Sequence, residues 1–361
     1  MHSEQLKVHV MSNIDTEADA APWVRVLIVN YNAGPLIQAC VDALAAQTFT
    51  DFEAVVVDNA STDGSDESLR LPDSRFTLIR NESNIGFGAA NNIGAHGCRA
   101  PWLATLNPDT VAQSNWLEEM HRGAERYPEI RMFGATLIDA ADPSIVDGFG
   151  DALSIAGIPW RGGHGQPVAN LPHYDAEVFS PCAAAALYAR ESFEVVGGFD
   201  ESFYCYLEDV DLGFRLRLVG DRCMQLRHAI VSHHGSAITG RMSEFTIFHS
   251  FRNRLWMIIK NFPFPLLIVA VPANILCSLL IIALSRRQLP AAAALKGLWL
   301  GVTASMGSYR QRRSMQSKRR TSVATIGQWL IWDLRQVRDQ PISARKSSLS
   351  VTRKIYAPKS L

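Results

Sequence analysis

The usual phosphate cradles are missing from this chain. No G-x-G-x-x-G follows its first apolar run, and no G-x-x-x-x-G-K-[ST] occurs in its 361 residues, which speaks against the ordinary dinucleotide and P-loop readings. There is no G-x-S-x-G elbow, so a serine hydrolase of that kind is disfavoured. The six cysteines (Cys40, Cys98, Cys182, Cys205, Cys223, Cys277) form no C-x-x-C pair and no zinc-type spacing. They read as reduced, mostly buried thiols of a cytosol-facing protein. Net charge is zero, 35 basic against 35 acidic residues, and nothing in that balance calls for nucleic acid. Residues 1–22 show no basic start followed by an apolar core, which argues against a secretory signal and for a flexible tail.

From Trp23 onward a regular alternation begins. "VRVLIV" (24–29) and "FEAVVVD" (52–58) are near-continuous apolar runs, as expected of strands buried on both faces. "FTLIR" (76–80) and "WLATL" (102–106) are two further strands. Helical spacing over 35–47, 87–97 and 115–127 falls between or after them. This interval predicts an α/β fold around a parallel sheet. Residues 139–175 have no clear period and read as an irregular excursion with a short hairpin, while 180–190 fits either strand or helix. A helix is predicted to begin near Glu208, and a short strand over 229–236 to end in His233 and His234.

In parallel sheets ligands bind at the carboxyl ends of the strands, and the polar clusters fall there. Asn30-Tyr31-Asn32 follows the first strand, Asp58-Asn59-Ala60-Ser61 the second, and Asn107-Pro108-Asp109 the fourth. Asn-Pro-Asp alone is a turn signal; three such clusters suggest one crevice. Asp58 suits the ring N–H of a uracil or thymine, and Asp109 suits a divalent cation. Glu208, Asp209 and Asp211 can complement a helix dipole or line a pocket behind "FYCYLED". A histidine at a strand end is more often structural, but one beside acidic clusters is a candidate metal ligand.

Six stretches in order, "VLIVNYN", "VVVDNASTDGS", "NESNIGFGAANNIG", "LNPDT", "GGFDESFYCYLEDVDLGFRL" and "HHGSA", resemble inverting family 2 glycosyltransferases of the GT-A fold, and among them rhamnosyltransferases and galactofuranosyltransferases. The resemblance covers about residues 24–236 and implies an α/β nucleotide-diphospho-sugar transferase fold, with a mostly parallel sheet and a helical, membrane-associating C-terminal extension. It implies that Asn30, Asn32, Asp58, Asn59 and Ser61 form the nucleotide pocket, that Asn84, Gly86 and Phe87 shape the floor below the diphosphate, and that Asn107 lies beside it. Asp109 and His233 would hold Mn2+ or Mg2+, with His234 as the alternative histidine. Asp209 would be the general base, Glu208 an acceptor-orienting group, and Gly198, Phe199, Asp200 and Glu201 part of the acceptor wall. This chain has Asn-Pro-Asp where the family has Asp-x-Asp, so one carboxylate is supplied there. A helix N-terminus is expected to lower the pKa of Asp209.

The resemblance further implies a dTDP- or UDP-sugar donor, with dTDP-rhamnose favoured, a lipid-linked saccharide acceptor, and a place on the cytoplasmic face of a bacterial inner membrane. A UDP-galactofuranose or UDP-hexose enzyme, or a non-catalytic nucleotide-sugar-binding scaffold, are the alternatives. Residues 264–284 carry no charge and are long enough to cross a bilayer; 289–307 reads as interfacial. The divisions expected are a tail at 1–22, a catalytic domain at 23–250, an apolar helical region at 251–309 and a basic tail at 310–361, where "RQRRSMQSKRR" suits an anionic leaflet.

Overall fold

The structure is a computed structural model that describes residues 21–235, 242–285 and 289–346. Most of the expected N-terminal tail, and Arg286, Arg287 and residues 347–361, lie outside the described residues.

β1 (Val24–Asn30), α1 (Leu36–Ala45), β2 (Phe52–Asp58), the single turn α2 (Ser65–Ser68), β3 (Phe76–Arg80), α3 (Phe87–Ala95) and β4 (Trp102–Leu106) alternate as the patterning predicts. β1 pairs in parallel with β2 and β4, and β2 with β3. Helices cover both faces, so β1 and β2 are buried at six of seven positions each. α3 lies close because Gly94 has no side chain; a Cβ there would sit 3.1 Å from Leu27 and 3.3 Å from Val57.

The second half departs from the expected parallel sheet. β5 (Thr110–Ala112), α4 (Trp116–Arg126), β6 (Met132–Asp139), β7 (Val146–Gly148), β8 (Asp151–Leu153), β9 (Pro159–Arg161), β10 (Ala176–Val178), β11 (Ala185–Ala189), α5 (Arg190–Val196), α6 (Glu208–Val219) and β12 (Cys223–His233) follow. β11 is antiparallel to both neighbours, β4 and β6, while β6 and β12 are parallel. The sheet is therefore mixed. α4 covers this half through Trp116, Leu117 and Met120; Trp116, with no exposed surface, contributes about 3 kcal/mol by burial.

The C-terminal part is helical: α7 (Glu244–Asn261), α8 (Phe264–Leu284), α9 (Ala291–Thr303), α10 (Met306–Lys318), α11 (Val323–Trp329) and the short α12 (Gln336–Asp339), then β13 (Arg345–Lys346) on the sheet edge beside β10. The run assigned to the start of a basic tail is instead helical, and part of it is docked. Arg312 donates to the carbonyls of Ile259 at 2.8 Å and Phe262 at 2.6 Å, and Gln316 to that of Asn261 at 2.9 Å. These bonds cap the C-terminal carbonyls of α7, which a helix end leaves unsatisfied. α9 packs backbone to backbone on α7, since a Cβ on Gly297 would fall 2.4 Å from the Phe248 carbonyl oxygen. α8 is one continuous helix despite Pro272. It buries Leu266, Ala270, Asn274, Ser278 and Ile282, a stripe at every fourth residue, and Asn274 donates to the Ala156 carbonyl at 2.8 Å.

Candidate active site

A cavity of about 440 Å3 opens at the carboxyl ends of β1, β2 and β4. Of the residues expected there, Asn59, Asn84, Gly86, Phe87, Asn107, Asp109, Glu208, Asp209 and His233 line it. Asn30, Asn32, Asp58 and Ser61 lie one layer back. Asp58 is 2% exposed. Its Oδ1 accepts from Asn30 Nδ2 at 2.7 Å and Ser61 Oγ at 2.6 Å, and its Oδ2 from Ser61 N at 3.1 Å. Asn32 accepts from Thr62 N at 2.7 Å. These four residues build the turn beneath the cavity, which Tyr31 overhangs at 38% exposure.

The floor is set by Asn59 and Asn84. Asn59 Nδ2 donates to Asn84 Oδ1 at 2.8 Å, and Asn59 Oδ1 accepts from Ile85 N at 3.1 Å. Gly86 has φ +90°, and a Cβ there would meet the Tyr204 carbonyl oxygen at 2.4 Å. Phe87 N donates to that same oxygen at 2.7 Å. Glycine is required because two backbone segments touch at that point.

Asn-Pro-Asp is both a turn and a site. Thr110 N closes the turn on the Asn107 carbonyl at 3.2 Å. β5 follows directly, and its pairing with β12 sets Thr110 opposite His233. That register brings Asp109 to the histidine: Asp109 Oδ1 lies 3.4 Å from His233 Nε2. His233 Nδ1 bonds Asp147 Oδ2 at 2.7 Å, Arg161 pairs with the same carboxylate, and His164 Nδ1 contacts the Asp147 carbonyl at 2.8 Å. Burial opposes the charged imidazole, but the bonds to Asp109 and Asp147 outweigh it and push the pKa of His233 up to about 9. Burial also works against the Asp147 carboxylate, yet the bonds from His164 and His233 and the charge of Arg161 hold it far below the usual carboxylate range. His234 is exposed. A carboxylate on the far nitrogen of an imidazole is the arrangement that orients a metal-ligating histidine. The Asp109–His233 separation suits two neighbouring positions on one ion of the Mg2+ or Mn2+ type. Among the described residues no group of three or more such side chains gathers to enclose an ion, so most coordination positions would be left to ligand oxygens.

The start of α6 also lines the cavity. Asp209 Oδ2 accepts from Ala183 N at 3.2 Å and Oδ1 from Val210 N at 2.8 Å. Those bonds favour the carboxylate, as the sequence suggested, but burial outweighs them and the net shift of Asp209 is upward. Glu208 is raised well above the usual range by burial and by the charge of Asp209. Glu208 Oε2 and Asn107 Oδ1 are buried without a protein partner, and both residues line the cavity.

Tyr204 and Tyr206 line the cavity, as the tyrosine-rich run "FYCYLED" suggested, whereas Asp147, Asp151, Trp160, Arg161 and Cys182 were not foreseen. Asp151 and Arg161 face each other across the β8–β9 hairpin, inside the excursion that had no period. The single signal there was charged residues among glycines. Burial and the nearby Asp209 charge raise Asp151 well above the usual range. Gly198, Phe199, Asp200 and Glu201, expected in the acceptor wall, do not line this cavity. Phe199 is core and Asp200 pairs with Lys260, because the chain turns back into the cavity only at Tyr204.

Residues 25–139 match Glycosyl transferase family 2. N-acetylglucosaminyl-diphospho-decaprenol L-rhamnosyltransferase of Mycobacterium tuberculosis (strain ATCC 25618 / H37Rv) is 29% identical over 243 residues, covering 60% of this chain and 77% of that protein. O-antigen biosynthesis protein RfbC of Myxococcus xanthus is 30% identical over 227 residues, covering 60% of this chain and 18% of its own length. The solved structure of GalNAc-T7 with UDP, GalNAc and Mn2+ superposes with a TM-score of 0.55 at 13% identity, covering 86% of this chain and 58% of that one; that is a likeness of fold. The protein is a glycosyltransferase with a GT-A-like α/β fold. Residues 25–139 belong to family 2, and the chain is rhamnosyltransferase-like within it.

Proposed function

We propose that this enzyme is an inverting transferase that moves a sugar from a nucleoside diphosphate to a lipid-linked saccharide in cell-surface polysaccharide synthesis. The observation that carries this reading is one cavity lined by both the Asp109–His233 pair and Asp209. The name of the mycobacterial relative supports L-rhamnose, from dTDP-rhamnose, and a lipid-linked acceptor. A UDP-galactofuranose or UDP-hexose donor is the alternative within the same chemistry.

Asp209 takes the proton of the acceptor hydroxyl as that oxygen attacks the anomeric carbon. The bond from that carbon to the diphosphate breaks on the opposite face, so the configuration inverts. A single base suffices, without a second carboxylate nucleophile. The raised pKa of Asp209 makes it a better proton acceptor than an exposed aspartate. Glu208 and Asn107 offer their unpartnered oxygens to sugar hydroxyls. Asp109 and His233 would hold a divalent cation, which supplies neutralisation of the charge growing on the leaving diphosphate. Asn30, Asn32, Asp58 and Ser61 act by shaping the turn on which the nucleotide rests, and Tyr31 by covering its base.

The same reading places the enzyme on the cytoplasmic face of a bacterial inner membrane. α8 carries 21 apolar-rich residues and is seated on the protein from Leu266 to Ile282. Its other faces expose Phe264, Ile268, Leu276, Leu280 and Leu284, and α9 adds Trp299. A helix docked along its length on a domain with buried charges such as Arg254 and Lys260 lies in the interface plane, with Arg310 and Arg313 near anionic headgroups.

Calorimetric binding of dTDP and UDP, with and without Mn2+ or Mg2+, to wild type and Asp109→Ala tests the site. The expected result is metal-dependent binding that Asp109→Ala removes, with the preferred base narrowing the donor. Absence of binding to either nucleotide under all these conditions refutes the reading.

A further inference from the structure

Residues 251–261 form the stretch "FRNRLWMIIKN". It forms the end of α7, where Asn253 and Asn261 have no exposed surface and Lys260 is 1% exposed. None of these residues lines the cavity. They grip the two segments that form its acceptor side.

The first segment is the loop Phe203–Leu207. Tyr204, Tyr206 and Leu207 have φ of +65°, +70° and +67°, the left-handed region that side-chain-bearing residues avoid. Three such residues in four, none of them glycine, persist only where the surroundings impose them. Asn253 does so from behind. Its Nδ2 lies 3.0, 2.9 and 2.8 Å from the carbonyl oxygens of Phe203, Cys205 and Tyr206. Arg252 donates to the Phe203 oxygen at 2.9 Å, and the His249 ring stacks on Tyr204 at 5.6 Å. On the far side Phe87 N holds the Tyr204 oxygen. The second segment is the first turn of α6. Asp211, two residues beyond Asp209, accepts from Asn261 at 2.7 Å, Arg215 at 2.8 Å and Lys260 at 2.9 Å.

We propose that Asn253 is a positioning residue for sugar transfer: its carboxamide holds loop 203–207 in the left-handed geometry that aims Asp209 at the acceptor hydroxyl. This rests on the reading of Asp209 as the base. Loss of the carboxamide lets the loop relax toward ordinary φ values and rotates the start of α6, while the nucleotide side of the cavity stays formed.

The test uses full-length Asn253→Ala, with Asn253→Ser as the variant that keeps one donor. Leu255→Ala is the control; Leu255 is on the same helix, 1% exposed and packed in the cluster toward α9. Hydrogen exchange of amides 203–211, nucleotide Kd, kcat and KM are compared at matched loss of thermal stability. The expected result for Asn253→Ala is exchange at least tenfold faster at 203–211, kcat at least tenfold below the control, and nucleotide Kd within threefold of wild type, with Asn253→Ser intermediate. If Asn253→Ala does not fold, Asn253→Ser carries the same readouts. A kcat equal to that of Leu255→Ala, or exchange at 203–211 unchanged, overturns the proposal. Active wild type with a fully active Asn253 variant overturns this proposal alone; wild type that transfers no sugar overturns the reading of Asp209 and this proposal with it.

Discussion

Replacing Lys260 by methionine tests the charge cluster behind the catalytic helix. The ammonium is buried between two carboxylates, Asp200 and Asp211, and lies 4.7 Å over the Phe203 ring. Methionine keeps the volume and removes the charge. Asp211 retains Arg215 and Asn261, whereas Asp200 keeps only neutral donors, among them Ser202 Oγ at 2.7 Å and Gln311 at 3.3 Å. Breaking a buried pair from one side costs about 3–5 kcal/mol. Because Asp211 remains paired, the lower end applies, about 3 kcal/mol, or a fall in Tm of about 4 °C for a chain of this length. The pH dependence has a defined sign. Burial works to raise the pKa of Asp200, but Lys260 outweighs it and holds the group at about 2, below the unfolded value of about 3.9. That stabilisation is present above the unfolded pKa and is lost as pH falls toward the folded one. Guanidinium unfolding at pH 7.5, 4.5 and 3 should therefore show a gap between wild type and Lys260→Met that is full at the first value and narrows progressively toward the third. A gap below about 1 kcal/mol at pH 7.5, or one that widens on acidification, refutes the reasoning.

Other outcomes follow from the same geometry. Asp209→Asn should lower kcat by about 10²–10⁴-fold with nucleotide Kd unchanged; equal turnover removes Asp209 as base. The raised pKa of Asp209 moves the acid limb of the wild-type pH–rate profile above the ordinary aspartate value of about 3.9, with activity rising as pH increases through it, and a limb at or below that value would contradict this. Gly86→Ala puts a Cβ against the Tyr204 carbonyl at positive φ and should cost about 2–3 kcal/mol, read by denaturant midpoint and by weaker nucleotide binding. Leu280→Ser with Trp299→Ser should reduce sedimentation with anionic vesicles several-fold and leave Tm within about 2 °C, since both side chains are more than one-third exposed. Vesicle binding that is unaltered removes the interfacial reading.

The first half of the fold was legible because its strands are buried on both faces and its helices on one, so apolar periodicity alone marks them. The mixed character of the sheet was not, because β11 reads as a small apolar run whose direction depends on its neighbours. The β8–β9 hairpin was invisible in detail for a related reason: Asp151, Trp160 and Arg161 have no periodic pattern, and they become a cavity wall only when the chain folds back over β11 and α6.

Residue identity by itself determined the alternation of strands and helices, the polar clusters at strand ends, the family 2 match of residues 25–139 and an uncharged run of 21 residues. Tertiary structure decided what those features do. The register of β5 against β12 carries Asp109 to His233, and distances between residues more than a hundred positions apart follow from pairing rather than from composition. Burial reversed the expected shift of Asp209, because desolvation depends on everything packed around a carboxylate and the helix N-terminus on one turn only. The seat of α8 along the domain likewise comes from which face of an almost uniformly apolar helix finds partners, a choice its composition leaves open.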